Sequence, residues 1–408
     1  MGAFVKDDFL DDFAAWPAAY IPYGGADFGE IVAVGQVIGT GDESAYYDAW
    51  VAAGDRLLDE AGTARSAGHR QSASALYLRA SAFYATSYHP LYGSPPDPRL
   101  LSAFAKQTAA FETGLGLRER PGMPLSIPFE NIVLPGVFLP ADGATPGPRP
   151  LIIFTNGYDA TMTDMYFASA VAANRRGYHV LLFDGPGQGD VLYNQGVHLR
   201  PDWETVIRAV VDVAVTLDGV DPARIALSGW SLGGYLSLRA ASGEHRLAAC
   251  VADPGQWSIA DGFVSFATQL GATPDQAADL GTLDQPIVDA MMTHVKASRT
   301  LSWNVLQRGF WVNGVDNLRD YLASAQQYTM EGRLDQITCP TAVTVAENDS
   351  IGAAGPKVVA ALTCPKELIR FTAAEGAGDH CEMKNRSLLN QRVLDWLDTI
   401  LRTTDEKN

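Results

Sequence analysis

Four short runs of almost unbroken apolar residues, LIIFT (151–155), YHVLLFD (178–184), RIALSG (224–229) and LAACVAD (247–253), alternate with segments of helical periodicity over 165–176, 203–217 and 232–241. A strand that is apolar at every position, rather than at every second one, is covered on both faces. Consecutive parallel strands need a crossover between them, and a helix supplies it. The pattern predicts a mostly parallel sheet layered between helices, an α/β fold. It lapses near residue 255. Residues 258–332 read as helical and carry Trp303, Phe310, Trp311, Tyr321 and Tyr328. It resumes with TAVTVAE (341–347), ELIRFT (367–372) and a last helix over 388–401.

Upstream, residues 1–120 read as helical. Tyr47, Trp50, Val51, Gly54 and Leu58 form one apolar stripe; Leu76, Tyr77, Ala80, Phe83 and Tyr84 form a second; Leu101, Phe104, Thr108, Phe111 and Leu115 form a third. SIPFENIVLPGVFL (126–139) predicts two short strands around a turn, and the Pro/Gly-rich ADGATPGPRP follows. Four parts result: an N-terminal helical domain (1–124), the first part of the core (125–257), a helical cap insertion (258–332) and the second part of the core (333–408). The N-terminal stripes make a homodimer through these helices a possibility.

With 408 residues the chain can bury a large core without disulfides, and its four cysteines include no CxxC pair. Thirty basic against 47 acidic residues give a formal charge of −17, and no basic cluster offers a nucleic-acid footprint. MGAFVKDDFLDDF is acidic where a signal peptide is basic, and no run of about 20 apolar residues could span a bilayer. A cytoplasmic protein without membrane or nucleic-acid partners is expected.

The chemistry is concentrated in Gly229-Trp230-Ser231-Leu232-Gly233-Gly234, which joins the strand RIALSG to the next helix. A G-x-S-x-G at a strand–turn–helix junction is a nucleophile elbow: the turn is too tight for side chains at the glycines, and the serine hydroxyl projects above the sheet. Such a serine needs a base, and the base an orienting acid. Of seven histidines, His380 alone lies in a Gly-rich loop (EGAGDH) between the last strand and the last helix. Asp349 follows the preceding strand and is the expected acid. Asp253, which ends LAACVAD, is the alternative acid and, with Trp230, a candidate substrate contact. The oxyanion donors are expected at the backbone N–H of Leu232 and of Tyr158, the latter in the loop Thr155-Asn156-Gly157-Tyr158-Asp159. Asp184-Gly185-Pro186-Gly187-Gln188-Gly189-Asp190 departs from GxGxxG and reads as a structural turn with no helix opening directly after it. Cys381 beside His380 reads as packing. With no HExxH, no CxxC pair and no carboxylate/His cluster, neither metal nor cofactor is expected.

The elbow GWSLGG, the turn DGPGQGD, the segment LDQITCPTAVTVAENDSIG and the loop EGAGDH together resemble the α/β-hydrolase fold superfamily over about residues 125–402. With the long helical N-terminus, the chain looks like the group that holds 2,6-dihydroxypseudooxynicotine hydrolase and the fungal pigment-pathway hydrolases that shorten polyketide chains. That resemblance implies roles in a catalytic triad for Ser231, Asp349 and His380, and cleavage of a C–C bond next to a carbonyl in a small, aromatic substrate. An ester, lactone or amide hydrolase, or an acyltransferase, needs the same residues. A non-catalytic binding protein on this fold is the reading from a third class; the presence of all three triad residues weighs against it. The sequence places Asn156-Gly157 where the superfamily often has His-Gly.

Overall fold

The computed structural model describes residues 2–143 and 147–401; positions 144–146 of the Pro/Gly-rich stretch, Met1 and 402–408 lie outside them. The apolar runs form an eight-stranded sheet in the order β1-β2-β4-β3-β5-β6-β7-β8. β1 (Met123–Phe129) and β2 (Ile132–Leu139) pair antiparallel at one edge, and β2 runs antiparallel to β4 (His179–Phe183). The rest are parallel: β3 (Arg149–Thr155), β5 (Val220–Trp230), β6 (Ala249–Asp253), β7 (Thr341–Ala346) and β8 (Lys366–Phe371). Every residue of β3, β4 and β6 is buried, which is why those segments are apolar except at strand ends, where Arg149, Thr155, His179 and Asp253 stand.

Three long N-terminal helices, Glu43–Ser66, Arg70–Ser87 and Pro98–Gly116, follow the three stripes. The stripes turn inward: Trp50, Phe83, Tyr84, Phe104, Phe111 and Leu115 are buried within the chain and belong to one core continuous with the sheet's. The insertion behaves differently, with a second hydrophobic cluster of its own around Leu280, Ile287, Met291, Leu318 and Leu322.

The two helical additions meet over the C-terminal end of the sheet through aromatic rings. Phe13 packs against Trp303 with centroids 4.9 Å apart, Trp16 against His89 at 4.6 Å and against Trp230 of the elbow at 5.9 Å, and Tyr193 of the core stacks on Trp311 at 5.3 Å. Trp303 lies in a π-helical turn, Trp303–Gly309, which also carries Arg308. Among the described residues no helix is long and apolar enough to cross a membrane.

One local expectation is corrected. A short helix, Gly189–Tyr193, does open directly after the DGPGQG turn. Five residues with a glycine at the start leave almost no periodic signal, and burial of Val191, Leu192 and Tyr193 selects the helix instead.

Candidate active site

β5 ends in the elbow. A Cβ on Gly229 would lie 1.7 Å from the Gly233 carbonyl oxygen, and one on Gly233 would lie 2.6 Å from that of Thr155, so the turn admits no side chain at either position. Ser231 itself is held at φ 60°, ψ −124°, a conformation that L-residues avoid. Its backbone N–H donates to the Asp253 carbonyl at 2.7 Å, and its own carbonyl accepts from Gln256 Nε2 at 2.6 Å. Of the four non-glycine residues with positive φ among the described residues, three are Ser231, Cys381 and Glu382. Strain of this kind gathers where geometry serves function.

The loops after β5, β7 and β8 bring three side chains into one hydrogen-bonded chain. Ser231 Oγ lies 2.9 Å from His380 Nε2, and His380 Nδ1 lies 2.9 Å from Asp349 Oδ2. The second Asp349 oxygen accepts the Ile351 N–H at 2.9 Å. The Asn348 N–H donates to the Gly378 carbonyl at 2.8 Å, which ties the loop of the acid to that of the histidine. Burial alone would raise the Asp349 pKa. The hydrogen bond and charge of His380, with the N–H groups of Ile351 and Gly352, outweigh it and hold the carboxyl below its ordinary range. The carboxylate side chain is 2% exposed and the imidazole 35%, so the acid is sealed off while the base is open to a reactant.

The other residues singled out from the sequence are placed as follows. Leu232 opens the elbow helix, Leu232–Ala241, so its N–H has no partner within that helix. Gly157 fits against the elbow: a Cβ there would stand 2.8 Å from Ser231 Cβ and 3.1 Å from Leu232 N. Tyr158 turns its buried ring toward the insertion, where its hydroxyl bonds Asn313 and the Arg308 guanidinium lies 4.7 Å from its centroid. Burial raises its phenol pKa far above the ordinary value.

Asp253 is not brought to His380. Its carboxylate is buried between the Thr344 hydroxyl, at 2.9 Å, and Arg386 Nη1, at 2.8 Å, rather than hydrogen-bonded to the imidazole. Trp230 lies between Trp16 and Arg386 and is 4% exposed. Cys381 is buried with Sγ 3.4 Å from His380 Nε2; burial keeps it a thiol by pushing its pKa far up.

Sequence reasoning missed Arg386, Gln256, Gln188 and Arg308. Arg308 pairs with Asp159 at 2.6 Å and so ties the insertion to the loop after β3, while the Tyr92 hydroxyl of the N-terminal part donates to the Asp159 carbonyl at 2.9 Å. Arg386, Gln256 and Arg308 have no local pattern that marks them, and nothing within the DGPGQG turn singles out the Gln188 side chain.

A cavity of about 440 Å³ opens elsewhere, between the third long helix and the β1–β2 hairpin, lined by Phe104, Phe111, Leu125, Val137 and Asp184 among others. No member of the Ser231–His380–Asp349 chain lines it.

Asp184, in the DGPGQG turn, is 1% exposed, and burial raises its pKa to about 8; Asp190 and Asp164 add to this, against the Met162 N–H bonded to it at 3.0 Å. The folded chain keeps a proton there that the unfolded chain releases above about pH 4. Stability is therefore fully present below about pH 4 and falls as pH rises toward 8. The slope is up to about 1.4 kcal/mol per pH unit, or about 4 kcal/mol between pH 5 and 8. Asp184→Asn keeps the acceptor for Met162 and removes the titration. Urea unfolding of both proteins at pH 5 and pH 8 is expected to show the larger loss in the native sequence; parallel losses would refute the assignment.

The comparisons agree with this architecture. The model of the alpha/beta hydrolase family matches residues 137–386. Hydrolase acrC of Aspergillus aculeatus is 34% identical over 368 residues, 85% of this chain and 84% of its own. The 20-hydroxy-prefusarin hydrolase FUS2 of Gibberella moniliformis is 32% identical over 401 residues, 93% of either chain. Among solved structures, 2,6-dihydroxy-pseudo-oxynicotine hydrolase superposes with a TM-score of 0.74 at 23% identity, over 94% of this chain and 95% of its own. That likeness is one of fold, and it extends through the N-terminal helices. With a sheet of this order, an elbow of this geometry and relatives matched along nearly their whole length, the chain belongs to the alpha/beta hydrolase family and is a hydrolase of that fold.

Proposed function

We propose that this chain is a serine hydrolase that cleaves a C–C bond next to a carbonyl in a small aromatic substrate. The observation that carries the proposal is the continuous chain from Ser231 Oγ through His380 to the buried Asp349, with both links at 2.9 Å. His380 takes the Ser231 proton as Oγ attacks the carbonyl. Asp349 holds the imidazole tautomer and stabilises its cation. The N–H groups of Leu232 and Tyr158 receive the negative charge that develops on the oxygen.

Collapse of the tetrahedral adduct expels a carbanion, and the acyl group stays on Ser231. That step needs a leaving group whose charge an adjacent carbonyl or a phenol ring delocalises, so the substrate is a β-diketone or an acylated phenol. His380 returns its proton to the departing carbon, and water then hydrolyses the acyl-enzyme with His380 again as base. Support for the C–C reading comes from the resemblance of the sequence to hydrolases of that kind. Trp16 packs on Trp230, and Phe13 joins Trp16 to Trp303, so aromatic rings gather above the sheet, in keeping with an aromatic substrate. The relative FUS2 carries a name that makes 20-hydroxy-prefusarin its substrate, which supports hydrolysis of a small metabolite rather than a polymer.

The test compares kcat/KM for an aryl 1,3-diketone and its closest aryl ester, with Ser231→Ala as the blank. Preference for the diketone is expected. Preference for the ester would replace this reading by an esterase with the same triad.

A further inference from the structure

The DGPGQG turn has no role in the chemistry above, yet one of its side chains reaches the loop that supplies an oxyanion donor. β3 and β4 are parallel neighbours, so the loops leaving their C-terminal ends lie side by side. The first holds Asn156, Gly157 and Tyr158; the second holds Gln188, which is 2% exposed. Gln188 Nε2 donates to the Asn156 carbonyl at 2.8 Å and to the Gly157 carbonyl at 3.1 Å, and its Oε1 accepts the Gly185 N–H at 3.1 Å. These partners also settle the orientation of the amide: the reverse one would set an oxygen against two carbonyls and an NH₂ against an N–H.

A peptide unit is planar and trans, so its N–H points opposite to its C=O. A Gly157 carbonyl held by Gln188 therefore fixes the direction of the Tyr158 N–H, away from Gln188. The other side of this loop is the elbow, for the open face of Gly157 meets Ser231 Cβ and Leu232 N. Nothing else donates to the Asn156 or Gly157 carbonyl among the hydrogen bonds of the described residues. Without the amide the two peptides are free to rotate, and a donor that must be aligned before reaction loses its alignment.

We propose that Gln188 is a positioning residue for the oxyanion hole: its side-chain amide clamps two successive carbonyls of the Asn156–Gly157–Tyr158 loop and so aims the Tyr158 N–H at the oxygen of the tetrahedral adduct. This rests on the serine-hydrolase reading above. Gln188 touches no reacting atom, and its contribution appears only when charge develops on that oxygen.

The test uses the full chain, p-nitrophenyl acetate as reporter substrate, and phenyl trifluoromethyl ketone as an inhibitor whose adduct with serine carries the oxyanion. Gln188→Met keeps the volume and removes the donor. It is expected to lower kcat by about 10- to 100-fold with KM within about twofold, and to weaken the inhibitor by a similar factor, below the 10²–10³ seen when a whole oxyanion donor is removed. Gln188→Leu, which also lacks a donor, carries the same comparison should the first variant fail to fold. An unchanged kcat and inhibitor affinity would overturn the proposal. So would a fall in kcat without loss of the inhibitor, or a loss confined to KM. Ser231→Ala, run alongside, separates the two levels. If it keeps full turnover, the serine reading itself fails; if it is inactive while the Gln188 variants are normal, only the positioning role fails.

Discussion

Ser231→Ala is expected to lower turnover by about 10⁴–10⁶-fold, the largest single effect in this protein. The size follows from the geometry. The hydroxyl lies 2.9 Å from the imidazole nitrogen placed to take its proton, and Cys381, whose Sγ also lies beside that nitrogen, is buried and held as a thiol. An alanine leaves the oxyanion donors and the substrate contacts in place but no atom to form the acyl bond, so what remains is the rate that binding and polarisation give an attacking water. The three residues act as one unit, and their losses should not add. His380→Ala should cost about as much as Ser231→Ala, and the double variant little more. Asp349→Asn keeps the shape and the contact to Ile351 but favours the wrong imidazole tautomer, for a loss of about 10⁴. Each enzyme is assayed at matched folded concentration with the better of the diketone and ester substrates. Additive losses, or a Ser231→Ala enzyme within tenfold of the native one, would remove the triad from the mechanism.

Much of the fold was legible because its physical causes are local. β3, β4 and β6 are buried on both faces, and the interior positions of such strands are apolar on either side, which leaves a continuous apolar run in the sequence. The first elbow glycine was legible for a similar reason: the atoms that crowd Gly229 most closely belong to Gly233, four residues on, so the constraint is written within one turn. The relation of His380 and Asp349 to Ser231 followed from the order of strands, since loops that leave the same end of a parallel sheet meet above it.

What stayed hidden depends on pairs far apart in sequence. Asp253 looked free for a substrate, and the partner that occupies it, Arg386, is 133 residues away on the C-terminal helix. In the same way Trp303 and Trp311 show helical spacing, but nothing in that spacing points to Phe13, Tyr92 or Tyr193 as the rings they meet. Gln188 sits in a turn that the sequence does mark. Its function depends on a neighbouring loop 31 residues earlier, and only the pairing of β3 with β4 joins them.

Arg386→Met is expected to destabilise the chain by about 3–5 kcal/mol, the largest stability effect of a single substitution proposed for this molecule. Arg386 and Asp253 side chains are 2% and 4% exposed, and their ion pair is 2.8 Å long. Burial of each charge is unfavourable alone, and here each is offset by the other and by hydrogen bonds that use nearly all of the guanidinium. Nη1 also donates to the Cys381 carbonyl at 2.7 Å, Nη2 to Ser169 Oγ at 2.8 Å, and the cation lies 5.5 Å from the Trp230 ring centroid. Methionine fills most of the space and leaves the buried Asp253 carboxyl without its cation, beside Glu382, whose own pKa burial and Asp253 push far above its ordinary value. The Asp253→Asn partner variant separates charge from packing. In the double variant the stranded carboxylate is gone, so the loss should be smaller than the sum of the single losses, by at least about 1 kcal/mol. Urea unfolding at pH 7 measures all three proteins. A cost below about 1 kcal/mol for Arg386→Met, or strict additivity in the double variant, would show that the pair does not hold the base of the elbow. Because the same guanidinium grips the carbonyl next to His380, the variant should also lose activity at temperatures where it is still fully folded. That loss would be read in kcat, since the histidine loop rather than the binding surface is released.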